Sequence, residues 1–91
     1  MPDLVRDNKA QHRFEMGAGD DAAVAYYSLA PGEITLTHTE VPAALRGQGI
    51  ASRLMRGVLE TARAQGLKVV PHCSFVAAFM GRHPEFNDLL R

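Results

Sequence analysis

The sequence predicts an α/β fold of the α+β kind, a mixed and mostly antiparallel sheet carrying helices in the order β-β-β-β-α-β-α. Three observations carry that expectation. Between residues 12 and 41 apolar and polar side chains alternate in runs broken by Gly, Asp and Pro, the period of strands and hairpins. From Ile50 onward apolar residues recur every four positions, the period of an amphipathic helix. A second apolar run follows at Leu67-Lys68-Val69-Val70, so a helix crosses between two strands, and strands joined in that way lie parallel in one sheet.

The elements follow in order. Val5 to Lys9 reads as a short edge strand with turn chemistry at Asp7-Asn8. His12, Phe14 and Met16 alternate with Arg13 and Glu15, as in a strand with one buried face. Gly17-Ala18-Gly19-Asp20-Asp21 has the composition of a hairpin loop. Ala22 to Leu29, with Val24, Tyr26 and Tyr27, forms the returning strand, and Pro31-Gly32 the next tight turn. Ile34 to Val41 is β-branched and alternating, and strict alternation puts Ile34, Leu36 and His38 on one face. Pro42 lacks a backbone donor and ends that strand.

Ile50, Leu54, Val58 and Ala62 then make one apolar stripe, with Arg53, Arg56, Glu60 and Arg63 on the wet side. Gly66 stands where a left-handed C-terminal cap is expected. The run ending at Val70 is closed by Pro71. A second helix is expected from Ser74, as its N-cap, to about Arg82, stopped by Pro84.

Bulk properties narrow the function. Ninety-one residues make one domain, 1–91, near the lower size limit for folding without disulfides or metals. Ten basic and ten acidic residues balance, which leaves no broad footprint for nucleic acid. One cysteine cannot form an internal disulfide, so Cys73 is expected as a free thiol in a reducing compartment, and the protein as cytoplasmic. No apolar run approaches the ~18 residues of a membrane span. His72, Cys73, His38 and His83 have metal-ligand residue types, but no Cys-x-x-Cys or His-x-x-x-His spacing, so no metal is expected.

The segment between the best strand and the best helix, Arg46-Gly47-Gln48-Gly49-Ile50-Ala51-Ser52, carries anion-binding chemistry. Gly47 and Gly49 let a phosphate approach the backbone, and the first helical turn offers N–H groups without intrahelical partners. Arg46 can add a charge-assisted bond, with Arg53 in reach of the same anion. The loop lacks the length and Lys-Ser/Thr ending of a P-loop and the spacing of a dinucleotide fingerprint. A pyrophosphate of coenzyme A fits it; a flexible turn is the other reading of two glycines before a helix.

Arg46, Gly49 and Ala51 match the Arg/Gln-x-x-Gly-x-Gly/Ala signature of the GNAT acetyltransferases. Across nearly its whole length the chain resembles the small single-domain GNAT-like proteins of the YjdJ type. The matching blocks are Asp7-Asn8, Arg13-Phe14-Glu15, His38-Thr39-Glu40-Val41-Pro42, Arg46 to Ala51, Val69-Val70-Pro71 with Cys73, and His83-Pro84-Glu85. The resemblance implies a minimal GNAT fold whose fourth and fifth strands are parallel and splayed, with acetyl-CoA as co-substrate entering the splay. Its pantetheine arm would pair with the backbone at Thr39, Glu40 and Val41, and its phosphates would lie on Arg46, Gly47, Gln48, Gly49, Ile50, Ala51, Ser52 and Arg53.

It also implies acetyl transfer to an amine, with Cys73 and His38 as the catalytic pair. Cys73 would act as nucleophile or as acid to the departing thiolate, and His38 as base to the acceptor ammonium. A buried small hydrophobe for Cys73 and a core histidine for His38 are the other readings. A CoA-binding module without turnover is the alternative function. No helical pattern precedes the sheet, so the acceptor side should be open to an exposed lysine, a chain terminus or a polyamine. The chain is expected as a monomer or weak dimer. Phe86 stands where relatives often have tyrosine after His-Pro-Glu, so no phenolic acid is available there. Ser74 replaces a common family proline.

Overall fold

Five strands lie side by side in chain order: β1 (Arg6–Asn8), β2 (Arg13–Met16), β3 (Ala23–Ala30), β4 (Glu33–Glu40) and β5 (Lys68–Pro71). The first four are antiparallel to their neighbours, and β5 runs parallel to β4. The crossover from β4 to β5 contains helix α1 (Ile50–Ala64), and α2 (Ser74–Arg82) follows β5. The computed structural model describes residues 5–17, 21–47 and 49–91; Ala18, Gly19 and Asp20 of the expected hairpin loop, and Gln48 of the glycine loop, lie outside the described residues.

One face of the sheet is apolar and both helices pack on it. Phe14, Ala23, Ala25, Tyr27, Ile34, Leu36 and Val69 meet Leu54, Met55, Val58 and Leu59 of α1 and Val76, Phe79 and Met80 of α2. Leu54, Met55, Val58 and Leu59 are fully buried, as the four-residue stripe requires. Each such side chain contributes roughly 1.5–3 kcal/mol relative to exposure. α1 ends as expected: Gly66 is left-handed (φ 70°), Gly66 N–H donates to Arg63 O (3.1 Å) and Leu67 N–H to Ala62 O (2.9 Å), the two bonds of a Schellman cap.

Three expectations are corrected, and one element is added. His12 is not part of β2. It closes a 3-10 turn at Lys9–Gln11 in a left-handed conformation (φ 53°), because Asn8 Oδ1 accepts from Gln11 N and holds the chain in a turn until Arg13. Ser74 is not the N-cap of α2. Cys73 is, with extended φ,ψ of −77°, 133°, and its carbonyl already accepts from Ala77 N (3.0 Å). Pro84 does end α2, but a 3-10 helix continues from Pro84–Leu89, since Phe86 and Leu89 at three-residue spacing both enter the core.

The last correction concerns β4. Tyr26 pairs with His38 but Tyr27 pairs with Leu36, so Thr37 is an extra residue on β4 and forms a bulge. The bulge breaks the alternation. Ile34 and Leu36 face the core, whereas His38 is paired with Tyr26 on the opposite face and is exposed. Thr39, paired with the core residue Ala25, takes the inner face in its place.

The C-terminal 3-10 helix is clamped onto α1. Arg56 and Arg63 lie over the Phe86 ring, 5.4 and 5.2 Å from its centroid, and bond Glu85 and Asp88. Beyond it Leu90 makes a parallel bridge to Val69 on the free edge of β5. At the other edge, the buried Tyr27 donates its hydroxyl to Asp7 Oδ1 (2.6 Å), tying β3 to β1.

Burial first, then Asp7, pushes the Tyr27 phenol up to about 12. A pKa raised by folding contributes stability that is complete below the ordinary value of 10.0 and is lost as pH climbs towards 12. Tyr27→Phe is therefore expected to lower unfolding free energy at neutral pH by about 1 kcal/mol. Urea titrations should also show a shallower loss of stability across that alkaline window than in the wild type.

Candidate functional site

The site begins where β4 outruns β5. Parallel pairing runs from Glu33↔Lys68 to Leu36↔Pro71, and one further bond, Cys73 N–H to Leu36 O (2.9 Å), closes it. The chain then leaves the sheet into α2, while β4 continues through His38, Thr39 and Glu40. The two strands part at the bulge.

Two adjoining cavities flank that free end of β4. One, about 600 Å³, is lined by Ala22, His38, Thr39, Glu40, Val41, Pro42, Ala43 and Arg46. The other, about 150 Å³, is lined by Val41, Leu45, Arg46, Gly47, Gly49, Ile50, Ala51 and Ser52. Val41 and Arg46 are common to both, and Arg46 Nε donates to Val41 O (3.2 Å), which holds the guanidinium at the junction.

The smaller cavity has the chemistry of a phosphate cradle. A 3-10 turn at Ala43–Leu45, not anticipated from the sequence, brings the chain from Pro42 to the loop. Gly47 (φ 81°) and Gly49 (φ 73°) are both left-handed, and a Cβ built on either would meet nothing within 4 Å, so that space is open. Gly49 is the N-cap of α1 and has no side chain to bond the first turn. The Ile50, Ala51 and Ser52 amides at the start of a 15-residue helix are therefore presented to the cavity together with the positive end of the helix dipole. An anion such as the coenzyme A pyrophosphate fits there. Arg53 lies in the same first turn, exposed and outside the residues lining the cavity.

The two sequence-predicted catalytic residues are placed on different sides of β4. Cys73, half-buried at the head of α2, has Sγ 3.8 Å from Thr39 Oγ1 on the inner face. Burial raises its thiol pKa, but the Val76 and Phe75 amides of the first helical turn and Thr39 outweigh this, so the net shift is downward from the ordinary thiol value. His38 lies on the outer face, its Nε2 3.0 Å from Glu40 Oε2 and its ring stacked on Tyr26 at 6.2 Å. Thr39 is brought to Cys73, and Glu40 to His38. His83, the C-cap of α2, is spoken for: its Nδ1 bonds Phe79 O (2.8 Å) and its ring stacks on Phe79 at 4.0 Å. Phe86 is fully buried. Among the described residues no three His, Cys, Asp or Glu side chains group as metal ligands, and no helix is long and apolar enough to cross a membrane.

An uncapped helix start behind a glycine pair and a strand that parts from its parallel neighbour are the two geometric marks of this site. Residues 13–89 match the family model of the GCN5-related N-acetyltransferases, and the chain belongs to that family. Its class of chemistry is acetyl transfer from acetyl-CoA to an amine. The chain is 29% identical over 90 residues to Protein NATD1 of Danio rerio, covering 96% of this chain and 82% of that one. It is 31% identical over 83 residues to Protein NATD1 of Xenopus tropicalis, covering 88% and 76% respectively. Its fold is similar to the solution NMR structure of a GCN5-like protein from Staphylococcus aureus, with a TM-score of 0.76 and 26% identity over 97% of this chain and 87% of the other.

The side-chain roles of Thr39 and Glu40 were missed in the sequence, where both counted only through their backbone. Alternation alone would have sent Thr39 outward and Glu40 inward; the bulge that reverses them is set by Tyr26 and Tyr27 on the neighbouring strand.

A side chain at position 49 would enter the cradle and carry a left-handed strain of about 1 kcal/mol or more. Gly49→Val is expected to raise the CoA dissociation constant at least tenfold in calorimetry while leaving the circular dichroism spectrum unchanged. The Cys73 environment gives a second expectation. Because the thiol pKa is lowered, more thiolate is present near neutral pH than in an unperturbed cysteine. Thr39→Val should slow alkylation of Cys73 by iodoacetamide several-fold near pH 7.5, with the difference closing above pH 9; Thr39→Ser should restore the rate.

Proposed function

We propose that the protein moves the acetyl group of acetyl-CoA to an exposed primary amine, a lysine side chain, a chain terminus or a polyamine, by way of Cys73. The observation that carries this reading is the placement of the Cys73 thiol at the mouth of the splay, against Thr39 and the first amides of α2. The same free stretch of β4 leads to the glycine cradle.

In this reading Arg46, Gly47, Gly49 and the first-turn amides hold the phosphates, and backbone from Thr39 to Val41 receives the pantetheine arm. Gln48 and Arg53 belong to the same binding segment. The Cys73 thiolate attacks the thioester carbonyl: a new S–C bond forms on Cys73, the S–C bond to CoA breaks, and the departing thiolate takes a proton from solvent. His38, in the larger cavity, accepts the proton of the acceptor ammonium. The amine lone pair so freed attacks the acetyl carbon, the C–S bond to Cys73 breaks, the second proton on the attacking nitrogen passes to solvent, and Cys73 leaves as thiolate. The openness of the His38 side suits an acceptor carried on a large partner as well as a small one. We place the chain among the small YjdJ-type members of the family, acting as a single cytoplasmic domain.

Intact-protein mass spectrometry after incubation with acetyl-CoA tests this directly. An added acetyl group under denaturing conditions, absent from Cys73→Ala and lost on addition of an amine, is the expected result. CoA bound under native conditions with no acetyl mark and no transfer to amines would instead make the protein a CoA-binding module without turnover. Transfer at the wild-type rate by Cys73→Ala would move the reaction to direct attack.

A further inference from the structure

The outer face of the sheet carries a polar row of which the acetyl-transfer reading uses only His38. Register places Arg13 opposite Tyr26 and Tyr26 opposite His38, so three strands present these side chains in one line across the face away from the helices. Each member of the line touches the next. Arg13 Nη1 donates to Tyr26 Oη (3.1 Å), and the Tyr26 ring stacks on the His38 imidazole with an interplanar angle of 26°. His38 Nε2 then meets Glu40 Oε2 at 3.0 Å.

Arg13 is itself fixed. Its Nε donates to Glu15 Oε2 (2.6 Å), and Asn8 Nδ2 donates to the same oxygen (2.9 Å). The Arg13 and Glu15 side chains are only 26% and 14% exposed, so this end of the row is held by packing as well as by charge. His38 is the exposed end, its side chain 59% exposed on a strand whose other neighbour has departed. A freely rotating imidazole at such a place is a poor base, since only one orientation serves the acceptor. Blocks of the sequence with no part in holding CoA, Asn8 and Arg13-Phe14-Glu15, thus lead to one catalytic side chain.

We propose that Tyr26, anchored by Arg13, is a positioning residue for His38, and that Glu40 selects the nitrogen His38 uses. Tyr26 fixes the plane of the imidazole. A carboxylate only accepts, so in the neutral ring Nε2 carries the hydrogen and donates it to Glu40, which leaves the Nδ1 lone pair as the proton acceptor. In the transfer step one N–H bond of the acceptor ammonium breaks, its proton goes to Nδ1, and the nitrogen lone pair is released for the acetyl carbon. The proposal rests on the reading of His38 as the base.

Two measurements on Tyr26 variants test it separately from that reading. In cofactor-free protein, NMR should show nuclear Overhauser contacts between the His38 and Tyr26 rings and a single His38 side-chain rotamer. Tyr26→Phe, which keeps the ring, should preserve the rotamer; Tyr26→Leu should leave His38 averaging among rotamers with the backbone spectrum otherwise intact. With acetyl-CoA and Nα-acetyl-lysine amide as probe acceptor, Tyr26→Leu should lower kcat about tenfold, Tyr26→Phe less than threefold, and neither should change CoA affinity by more than twofold. A wild-type His38 that already averages, or a Tyr26→Leu protein with an ordered imidazole, overturns the proposal. So does a Tyr26→Leu enzyme with undiminished kcat. Should the wild type transfer acetyl to no amine, the reading of His38 as base fails, and the NMR arm still decides the positioning.

Discussion

Strand β4 is bound to two neighbours over unequal lengths, and the site depends on where the shorter partnership stops. Its antiparallel pairing with β3 extends to Glu40, whereas the parallel pairing with β5 stops at Leu36. A strand edge left without a partner exposes peptide donors and acceptors that must be met by water or by a ligand. Here the unmet stretch is short, starts at a bulge and is flanked by the two cavities.

The bulge at Thr37 has a second effect. By adding one residue it reverses which faces the following side chains take, sending His38 and Glu40 outward and Thr39 inward to Cys73. A thiol and an imidazole therefore stand on opposite sides of one strand in different surroundings. The inner side is semi-buried and lined by helix amides, which favours an anionic sulfur. The outer side is wet and carries a carboxylate, which suits a cationic amine.

Much of the fold was legible because local signals agreed. The β-branched run at Ile34, the four-residue stripe from Ile50 and the glycine at 66 each has a local cause and each formed as expected. The glycine loop was legible for the same reason: left-handed positions before a helix require glycine, and Gly47 and Gly49 supply them. What was not legible depends on pairing between strands. Nothing in Leu36-Thr37-His38 announces a bulge, since the register is set by Tyr26 and Tyr27 on another strand. The same holds for Phe86 and Leu89, whose helix exists because Arg56 and Arg63 and the core receive it.

The order of the strands has an entropic consequence. Each of β2 to β4 is laid beside the strand made just before it, through short connections, so little chain need be closed to form that part of the sheet. The costly closure is the one from Glu40 to Lys68, which must gather the glycine loop, α1 and β5 into register. That closure also brings the cradle and the Cys73 side of the splay to one strand. A ligand spanning the two stabilises the closed chain by mass action, roughly 2.7 kcal/mol at a hundredfold excess over its dissociation constant. For a domain this small such a gain is a large share of its total stability. A co-substrate held across both ends of that closure would in this way support the fold itself.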